Sequence, residues 1–274
     1  MTTAQKIIKY LALAFAIFLI FTIISAILGV LYAFSNVLGL KNNDDYSISK
    51  EISTIYLQNN DIEKLNIDVV YTNLIIKTGE SLKIETNNSN IKCLENNRLL
   101  KIEEKEHNWF WQNNEGDLII YLPENLEFKE VEIDAGAGKI SIENLQTQKL
   151  DLNLGAGETK IKNLTVTKDC EIESGTGVTN IEDSLINNMD LKLGVGEVNL
   201  ATLLKGKNDI DAGIGSLNIT LQGGKENYKM KAEKGLGQIE IDGNDLSSSQ
   251  TFGNGENYIE INGGIGNIKV DFEN

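Results

Sequence analysis

The chain has 274 residues, and its 40 acidic side chains outnumber 25 basic ones to give a net charge of −15. Nucleic-acid binding needs a basic face, so this balance argues against that class of protein. One histidine, His107, leaves little material for His-based metal sites or catalytic triads, and one arginine, Arg98, nearly removes bidentate phosphate or carboxylate clamps. The two cysteines, Cys93 and Cys170, are too far apart for a zinc or redox motif.

The first forty residues contain one long apolar segment. Residues 10–34 carry no charge, two lysines precede them and two aspartates follow. A helix needs about 20 apolar residues to cross a bilayer, whereas a cleavable signal peptide has an apolar region of about 7–15 residues. The length predicts an uncleaved signal anchor, with cleavage as the alternative. The positive-inside rule then predicts a single-pass membrane protein with a cytoplasmic N-terminus and residues 41–274 outside the cell.

Small residues recur every four positions within this predicted transmembrane helix, at Ser25, Gly29 and Ala33. Such a face allows two helices to approach closely, which predicts a homo-oligomer. Small residues are also common in transmembrane helices that do not pair, and that alternative stays open.

A Gly-x-Gly signature recurs seven times after residue 130, at steps of 19 to 29 residues. Its glycines are Gly136 and Gly138, Gly155 and Gly157, Gly175 and Gly177, Gly194 and Gly196, Gly213 and Gly215, Gly235 and Gly237, and Gly264 and Gly266. Apolar residues alternate on both sides of each signature, which predicts two short strands joined by a glycine bend. A dinucleotide fingerprint requires a helix after the glycines, so these glycines are predicted to be structural.

One such repeat cannot enclose a core, so the copies must stack. Residues 65–76 fit the same frame, with Val70 and Thr72 in place of the glycines, and are interpreted as a first coil. The sequence thus predicts an all-β, parallel β-solenoid of about eight two-stranded coils and about 40 Å in length. The residue between the two glycines grows from Ala137 to Leu236 and Ile265 and is predicted to face a widening core.

Four regions follow from these patterns: 1–40 with the membrane span, a polar tether at 41–60, a first coil and irregular β region at 61–130, and regular repeats at 131–274. Within the last region, residues 242–257 are predicted to be a long polar loop. Residues 267–271 are predicted to form an open edge of the final coil, which either accepts a partner strand or uses its charges to block pairing.

The repeat resembles a known family. The run YLP at 121–123, VEIDAGAGKISIENL at 131–145 and LDLNLGAGETKIKNL at 150–164 are similar to the bacterial envelope β-strand-repeat family labelled "putative adhesin", a domain of unknown function. The resemblance covers about residues 60–274. It implies a right-handed, β-helix-like solenoid outside the membrane and partners in envelope-stress or membrane signalling. It supplies no catalytic residues and no cofactor.

The outward positions of the first strand in each repeat are strongly acidic. Ten of these fourteen positions are acidic and two are basic; they are Glu132, Asp134, Asp151, Asn153, Glu171, Glu173, Asp190, Lys192, Asp209, Asp211, Lys231, Glu233, Glu260 and Asn262. Such a face either collects Ca²⁺ or cationic polymers and peptides, or keeps the domain soluble.

The segment 107–111 holds both tryptophans. Trp109, Phe110 and Trp111 either contact a ligand such as a sugar or the membrane interface, or cap an open end of the stack. Cys93 and Cys170 are either free thiols or, outside the cell, a disulfide. No pattern predicts a catalytic residue, a metal ligand or a cofactor.

These observations favour a non-enzymatic, membrane-anchored extracellular solenoid of the bacterial cell envelope that binds or scaffolds like an adhesin. Its expected ligands are cell-wall polymers, cationic peptides or another cell. The alternative is a sensing or regulatory partner of another membrane signalling protein. A second protein would be required for signalling, because about six residues before the span cannot form an output domain. A Ca²⁺-dependent or carbohydrate-active enzyme is the third hypothesis, and it lacks a convergent set of acid, base or nucleophile.

Overall fold

A computed structural model describes residues 52–55, 57, 61–105 and 116–273. This part of the chain is all-β, and its strands form one hydrogen-bonded sheet. The predicted membrane span at 10–34, with Ser25, Gly29 and Ala33, lies outside the described residues, as do Trp109, Phe110 and Trp111. No helix in the described ranges is long and apolar enough to cross a membrane.

Nineteen strands follow one another along the described residues, and one 3-10 turn lies among them at Lys225–Asn227. The strands are β1 (Ser53–Ile55), β2 (Lys64–Val69), β3 (Asn73–Thr78), β4 (Lys83–Thr86), β5 (Ile91–Asn96), β6 (Leu99–Glu104), β7 (Asp117–Leu122), β8 (Glu127–Glu143), β9 (Gln146–Lys162), β10 (Thr165–Asn187), β11 (Met189–Lys205), β12 (Lys207–Asp211), β13 (Ile214–Gln222), β14 (Tyr228–Glu233), β15 (Leu236–Ile241), β16 (Asn244–Asp245), β17 (Gln250–Gly253), β18 (Asn257–Asn262) and β19 (Ile265–Glu273).

Each repeat forms one rung: a first strand, a bend at the glycines, and a second strand. In β8 and β9 the two strands are continuous through the bend, and the rungs pair in parallel with glycine opposite glycine, Gly138 with Gly157. Apolar side chains alternate inward on both strands and are buried, as Val131, Ile133 and Ile142 show for β8. The predicted parallel stacking of two-stranded repeats around one core is therefore confirmed.

The order of the rungs in the stack differs from their order in the chain. From one end to the other, the nine rungs of the described residues are β6/β7, β2/β3, β8, β9, β10, β11, β12/β13, β18/β19 and β14/β15. Residues 65–76 form a rung in the predicted frame and are the first rung along the chain, but this rung is not the end of the stack, because β6/β7 lies beyond β2/β3. The chain builds that outer rung next and then returns to the other side of β2/β3 with β8.

At the C-terminal end of the stack, β18 lies between β12 and β14, and β19 lies between β13 and β15. Residues 267–270 therefore have strands on both sides, and the prediction that residues 267–271 form an open edge was wrong for all but residue 271. The predicted polar loop 242–257 contributes β16 and β17, which pair antiparallel with β15 and β14. This insertion covers much of the outer edge of the last rung.

The opposite end is covered in the same way. Strand β5 pairs antiparallel with β6, β4 pairs antiparallel with β7, and β1 pairs antiparallel with β4. Because β1 comprises residues 53–55, the tether predicted at 41–60 is wrong for those three residues. Antiparallel hairpins at both ends limit the unpaired parallel edge, a recognised hazard for aggregation.

Backbone crowding explains the glycines at the bend. A Cβ atom on Gly155 would overlap the carbonyl oxygen of Gly136 in the adjacent rung, although Gly155 does not have a positive φ. A Cβ on Gly157 would overlap the carbonyl oxygen of Gly138, and Gly157 also has a φ of 152°, which side chains rarely adopt. Successive bends are thus packed backbone against backbone, with no room for a side chain.

The residue between the two glycines faces solvent in the later rungs. Val195, Ile214, Ile265 and Leu236 are about half or more exposed, at 48, 50, 52 and 74%. The prediction that this position faces a widening core was wrong. The glycine conformations at the bend turn this side chain out, and the inward alternation resumes only with residues such as Val198.

The side chain of Glu104, the last residue of β6, supplies hydrogen-bond acceptors at the bend between β2 and β3. It is 8% exposed, and its Oε2 atom accepts hydrogen bonds from the backbone N–H groups of Val70, Tyr71 and Thr72 at 2.7, 3.0 and 3.2 Å. Its Oε1 atom accepts from Nδ2 of Asn88 at 2.9 Å. The carboxylate thus supplies acceptors for three bend N–H groups, at the position where the glycines are absent.

The crowding of the bend can be separated from its φ angle with two alanine variants. Gly155→Ala should lower the free energy of unfolding by at least about 3 kcal/mol, because the Cβ must displace backbone. Gly243 has a φ of 73°, and a Cβ atom added there would have no other atom within 4 Å. Gly243→Ala should therefore lower the free energy of unfolding by only about 1–2 kcal/mol. Denaturant unfolding of the full chain measures both, and equal costs would contradict the crowding.

The capping role of Glu104 predicts a second difference. Glu104→Ala should lower the free energy of unfolding by about 3 kcal/mol, since three N–H groups of the bend lose their acceptor and that of Thr72 is buried. Glu103→Ala, on the outward side of the same strand, should cost less than about 1 kcal/mol. If the two variants have the same denaturant midpoint, Glu104 does not stabilise the bend.

Candidate functional site

The stack presents two long outer faces with different charge. The first-strand face consists of the outward residues of the first strands, where the predicted fourteen positions carry ten carboxylates and two ammonium groups and none is buried. The second-strand face is balanced, with three acidic and three basic residues. Its fourteen positions are Lys139, Ser141, Glu158, Lys160, Val178, Asn180, Glu197, Asn199, Ser216, Asn218, Gln238, Glu240, Asn267 and Lys269. Negative charge is therefore concentrated on one side of the same repeat.

Six carboxylates form an unbroken column on the first-strand face. In stack order they are Glu132, Asp151, Glu171, Asp190, Asp209 and Glu260. Paired residues of adjacent parallel strands are about 4.8 Å apart, a distance at which like charges repel. The column ends at Asn66 on one side and Lys231 on the other. Such a column offers regularly spaced anions to a ligand that extends along the stack.

Two lysines partly neutralise this face. Nζ of Lys192 lies 2.9 Å from Glu171 and 3.0 Å from Glu173. Nζ of Lys231 lies 2.7 Å from Glu260 and 2.6 Å from Glu233. Hydrogen bonds to these carboxylates raise the pKa of both ammonium groups. Each lysine serves two carboxylates, so the face keeps an excess of negative charge.

The central carboxylates are the least favourable ones. Partial burial, followed by the charges of Glu171, Glu132 and Asp134, raises the pKa of Asp151. Burial also raises the pKa of Asp190, although Lys192 opposes the effect. Burial and, after it, repulsion by neighbouring carboxylates therefore disfavour the charged forms of Asp151 and Asp190.

A groove runs beside the first-strand face, along the glycine bends of five rungs. Its volume is about 590 Å³, and its wall contains Gly136, Gly155, Gly175 and Gly194. Its rim is formed by residues of the first-strand face, namely Asp134, Asn153, Glu173 and Lys192. Because the glycines expose backbone and no side chain, the groove is shallow and continuous. It suits an extended ligand better than a compact one.

The exposed aliphatic ridge forms a second unusual surface. We give this name to Val195, Ile214, Ile265 and Leu236, which occupy four adjacent rungs in that order. In the earlier rungs the same position holds Ala137, Ala156 and Thr176. Large aliphatic groups at half exposure in consecutive rungs form a contiguous apolar strip, the kind of surface that marks contact sites.

The carboxylates do not form a metal centre. Within the described residues, no group of three or more His, Cys, Asp or Glu side chains is arranged to hold a metal ion. The column places its carboxylates in a line, whereas Ca²⁺ requires six to eight oxygen ligands around one point. Ca²⁺ bridging therefore has no prepared cage here.

The two cysteines are free thiols in the structure. Burial raises the pKa of Cys93 to about 11 and raises that of fully buried Cys170 further. A thiol with a raised pKa is a poor nucleophile at neutral pH, since the thiolate is the reactive form. Of the two alternatives for these residues, the structure favours the free thiols.

Burial of Asp151, together with repulsion by the carboxylates around it, predicts a stability effect that depends on pH. A carboxyl whose pKa is raised by folding stabilises the protein below its unfolded pKa and loses that contribution as pH rises through the folded pKa. Asp151→Asn should therefore raise the melting temperature at pH 7 by about 1–4 °C, with little effect near pH 3. Glu127→Gln, outside the column, serves as the control; a gain that is equal at both pH values would contradict this account.

The chain is similar to one protein family and to solved structures. A model of the Toastrack DUF4097 family matches residues 62–253. A solved structure described as a "putative cell adhesion protein" from Clostridium sporogenes ATCC 15579 shares 19% identity over 81% of this chain and 99% of its own, with a TM-score of 0.40. No functionally curated protein matches the chain.

A second solved structure supports the fold. It is described as a "putative adhesin" from Bacteroides fragilis NCTC 9343, shares 14% identity over 81% of this chain and 98% of its own, and has a TM-score of 0.52. The family match stops before β18 and β19, although these strands lie inside the stack. The chain belongs to the Toastrack DUF4097 family, a domain of unknown function with an all-β, solenoid-like stack.

Proposed function

We propose that this protein is a non-enzymatic, adhesin-like binding or scaffolding module of the bacterial cell envelope. The observation that carries the proposal is the first-strand face, a continuous repetitive surface with a net charge of −8 from ten carboxylates and two lysines. Its chemistry fits ligands that carry repeated cationic groups, such as polymers or proteins of a cell surface. The description of the similar Bacteroides fragilis structure as a "putative adhesin" supports the same role.

The geometry of this surface favours binding over catalysis. Enzyme sites bring an acid, a base or a nucleophile to one point, usually in an enclosed pocket. On the first-strand face, functional groups are spread along a line with about 4.8 Å between neighbours. A line of similar groups provides many weak contacts with an extended partner, and their sum sets the affinity.

The proposal includes a location. Residues 10–34 anchor the chain in the membrane, with a cytoplasmic N-terminus, and hold a right-handed solenoid outside the cell. Support for this arrangement comes from the length of the apolar segment and the lysines before it. Regulation of another membrane protein is a second use of such an anchor.

Matched triple variants of the full chain test the binding role. Asp151→Asn, Asp190→Asn and Asp209→Asn remove three charges from the column. Glu158→Gln, Glu197→Gln and Glu240→Gln remove three charges from the second-strand face. Binding to immobilised polylysine and to intact bacterial cells should weaken about tenfold for the column variant, since exposed ion pairs contribute about 0.2–1 kcal/mol each.

The second-strand variant should bind like the unchanged protein, and added salt should weaken the unchanged protein more than the column variant. Equal weakening in both variants would mean that binding depends on the net charge of the protein and not on the first-strand face, which would also contradict the proposal. Full binding by the column variant would contradict the proposal.

A further inference from the structure

The aliphatic ridge has no role in the proposed function and is not needed by the core. Its four side chains lie on adjacent rungs, and Leu236 at the end of the stack is 74% exposed. The position tolerates small residues, because Ala137 and Ala156 occupy it in earlier rungs. Large aliphatic residues are therefore not required by the bend, and their concentration in four neighbouring rungs points to a contact surface.

The charges beside the ridge indicate what covers it. On its first-strand side, the four rungs carry Lys192, Asp211, Asn262 and Glu233 in stack order. The two outer rungs thus have opposite charges. Reversing the order of the rungs places Lys192 opposite Glu233 and Asp211 opposite Asn262, so no like charges meet at the four positions nearest the ridge.

The residues on the second-strand side of the ridge also avoid like charges when they face a second copy with the rungs in reverse order. Its residues are Glu197, Ser216, Asn267 and Gln238 in stack order. Reversal pairs Glu197 with Gln238 and Ser216 with Asn267, which are neutral or hydrogen-bonding pairs. A surface that matches its own reversed copy on both sides has the property of a two-fold interface.

We propose that the aliphatic ridge is a homodimer interface, in which a second copy of this chain packs antiparallel with Val195 against Leu236 and Ile214 against Ile265. The two-fold axis lies between the rungs of Ile214 and Ile265. Each copy then places Lys192 beside Glu233 of the other copy. The rungs before Val195 carry Glu132, Asp151 and Glu171, three of the six carboxylates of the acidic column. These rungs extend beyond the end of the other copy, which keeps those three carboxylates away from it.

The size of the ridge sets the strength of this dimer. Stable interfaces bury about 1,200–2,000 Å² in total, and four half-exposed aliphatic residues from each copy contribute less than that. The dimer is therefore weak in dilute solution. Anchoring of both copies in one membrane would raise their effective concentration.

Sedimentation of the full chain in detergent, over a range of protein concentrations, tests the interface. Leu236→Asp should raise the dimer dissociation constant at least about tenfold, because it puts a charge into the contact. Leu94→Asp is the matched control: Leu94 is 55% exposed but lies at the opposite end of the stack. A chain that is monomeric at all concentrations, or one whose dimerisation ignores Leu236→Asp, overturns the proposal. Dimerisation that is unaffected by Leu236→Asp is also the result expected if only the membrane helices form the dimer.

Disulfide trapping tests the direction of packing. In a Cys93→Ser background, Val195→Cys alone and Leu236→Cys alone should not cross-link, since like residues of the two copies lie about three rung spacings, or ~14 Å, apart. A mixture of the two variants should give a cross-linked dimer upon oxidation. Cross-linking of Val195→Cys with itself would mean parallel packing and overturn the antiparallel arrangement. No cross-link in any sample, despite dimer sedimentation, would also overturn it.

Discussion

The close approach of neighbouring backbones at the glycine bend is the constraint on which the rest of this structure depends. Carbonyl oxygens of one bend fill the space where a side chain of the next bend would start, as Gly136 does for Gly155. Parallel rungs in register satisfy that condition at every step. Register in turn stacks like positions, so an acidic residue repeated in sequence becomes a column of charge. The surface chemistry of the protein is thus a consequence of its bend.

Parallel stacking leaves two problems, and the chain solves both with residues that break the repeat. Each end of a stack exposes strand edges, and β5, β4, β16 and β17 cover them by antiparallel pairing. The bend of β2/β3 lacks glycines, and Glu104 supplies acceptors for its N–H groups. Irregular segments therefore pair the exposed strand edges and the bend N–H groups at the places where the regular repeat cannot continue.

Much of this fold could be predicted from alternation and glycine spacing. The inward positions, such as Val131 and Ile133, and the outward acidic positions follow directly from period two on a strand. The central residue of each Gly-x-Gly could not be placed that way, because the bend changes the alternation. Its signal was present in the shift from even to odd spacing after the second glycine, which shows that one position drops out of the inward frame.

Stack order was beyond the reach of the pattern. Residues 228–241 and 257–273 have the same repeat frame, so nothing in that frame tells which of them contacts β12/β13. The insertion at 242–257 decides the order physically: as a cap it must lie at an end, and it pairs with β14 and β15. The candidate site was predictable to the same degree, since the acidic face follows from alternation, whereas the exposed ridge depends on the bend.

Amide hydrogen exchange of the full chain tests the central claim, the order of rungs at the C-terminal end of the stack. If β19 lies between β13 and β15, amides of residues 265–270 exchange as slowly as those of 150–161 in the middle of the stack. If the stack instead followed chain order, β19 would be an edge strand, and alternate amides at 265–270 would exchange rapidly while those of β15 were protected on both sides. That pattern would contradict the account.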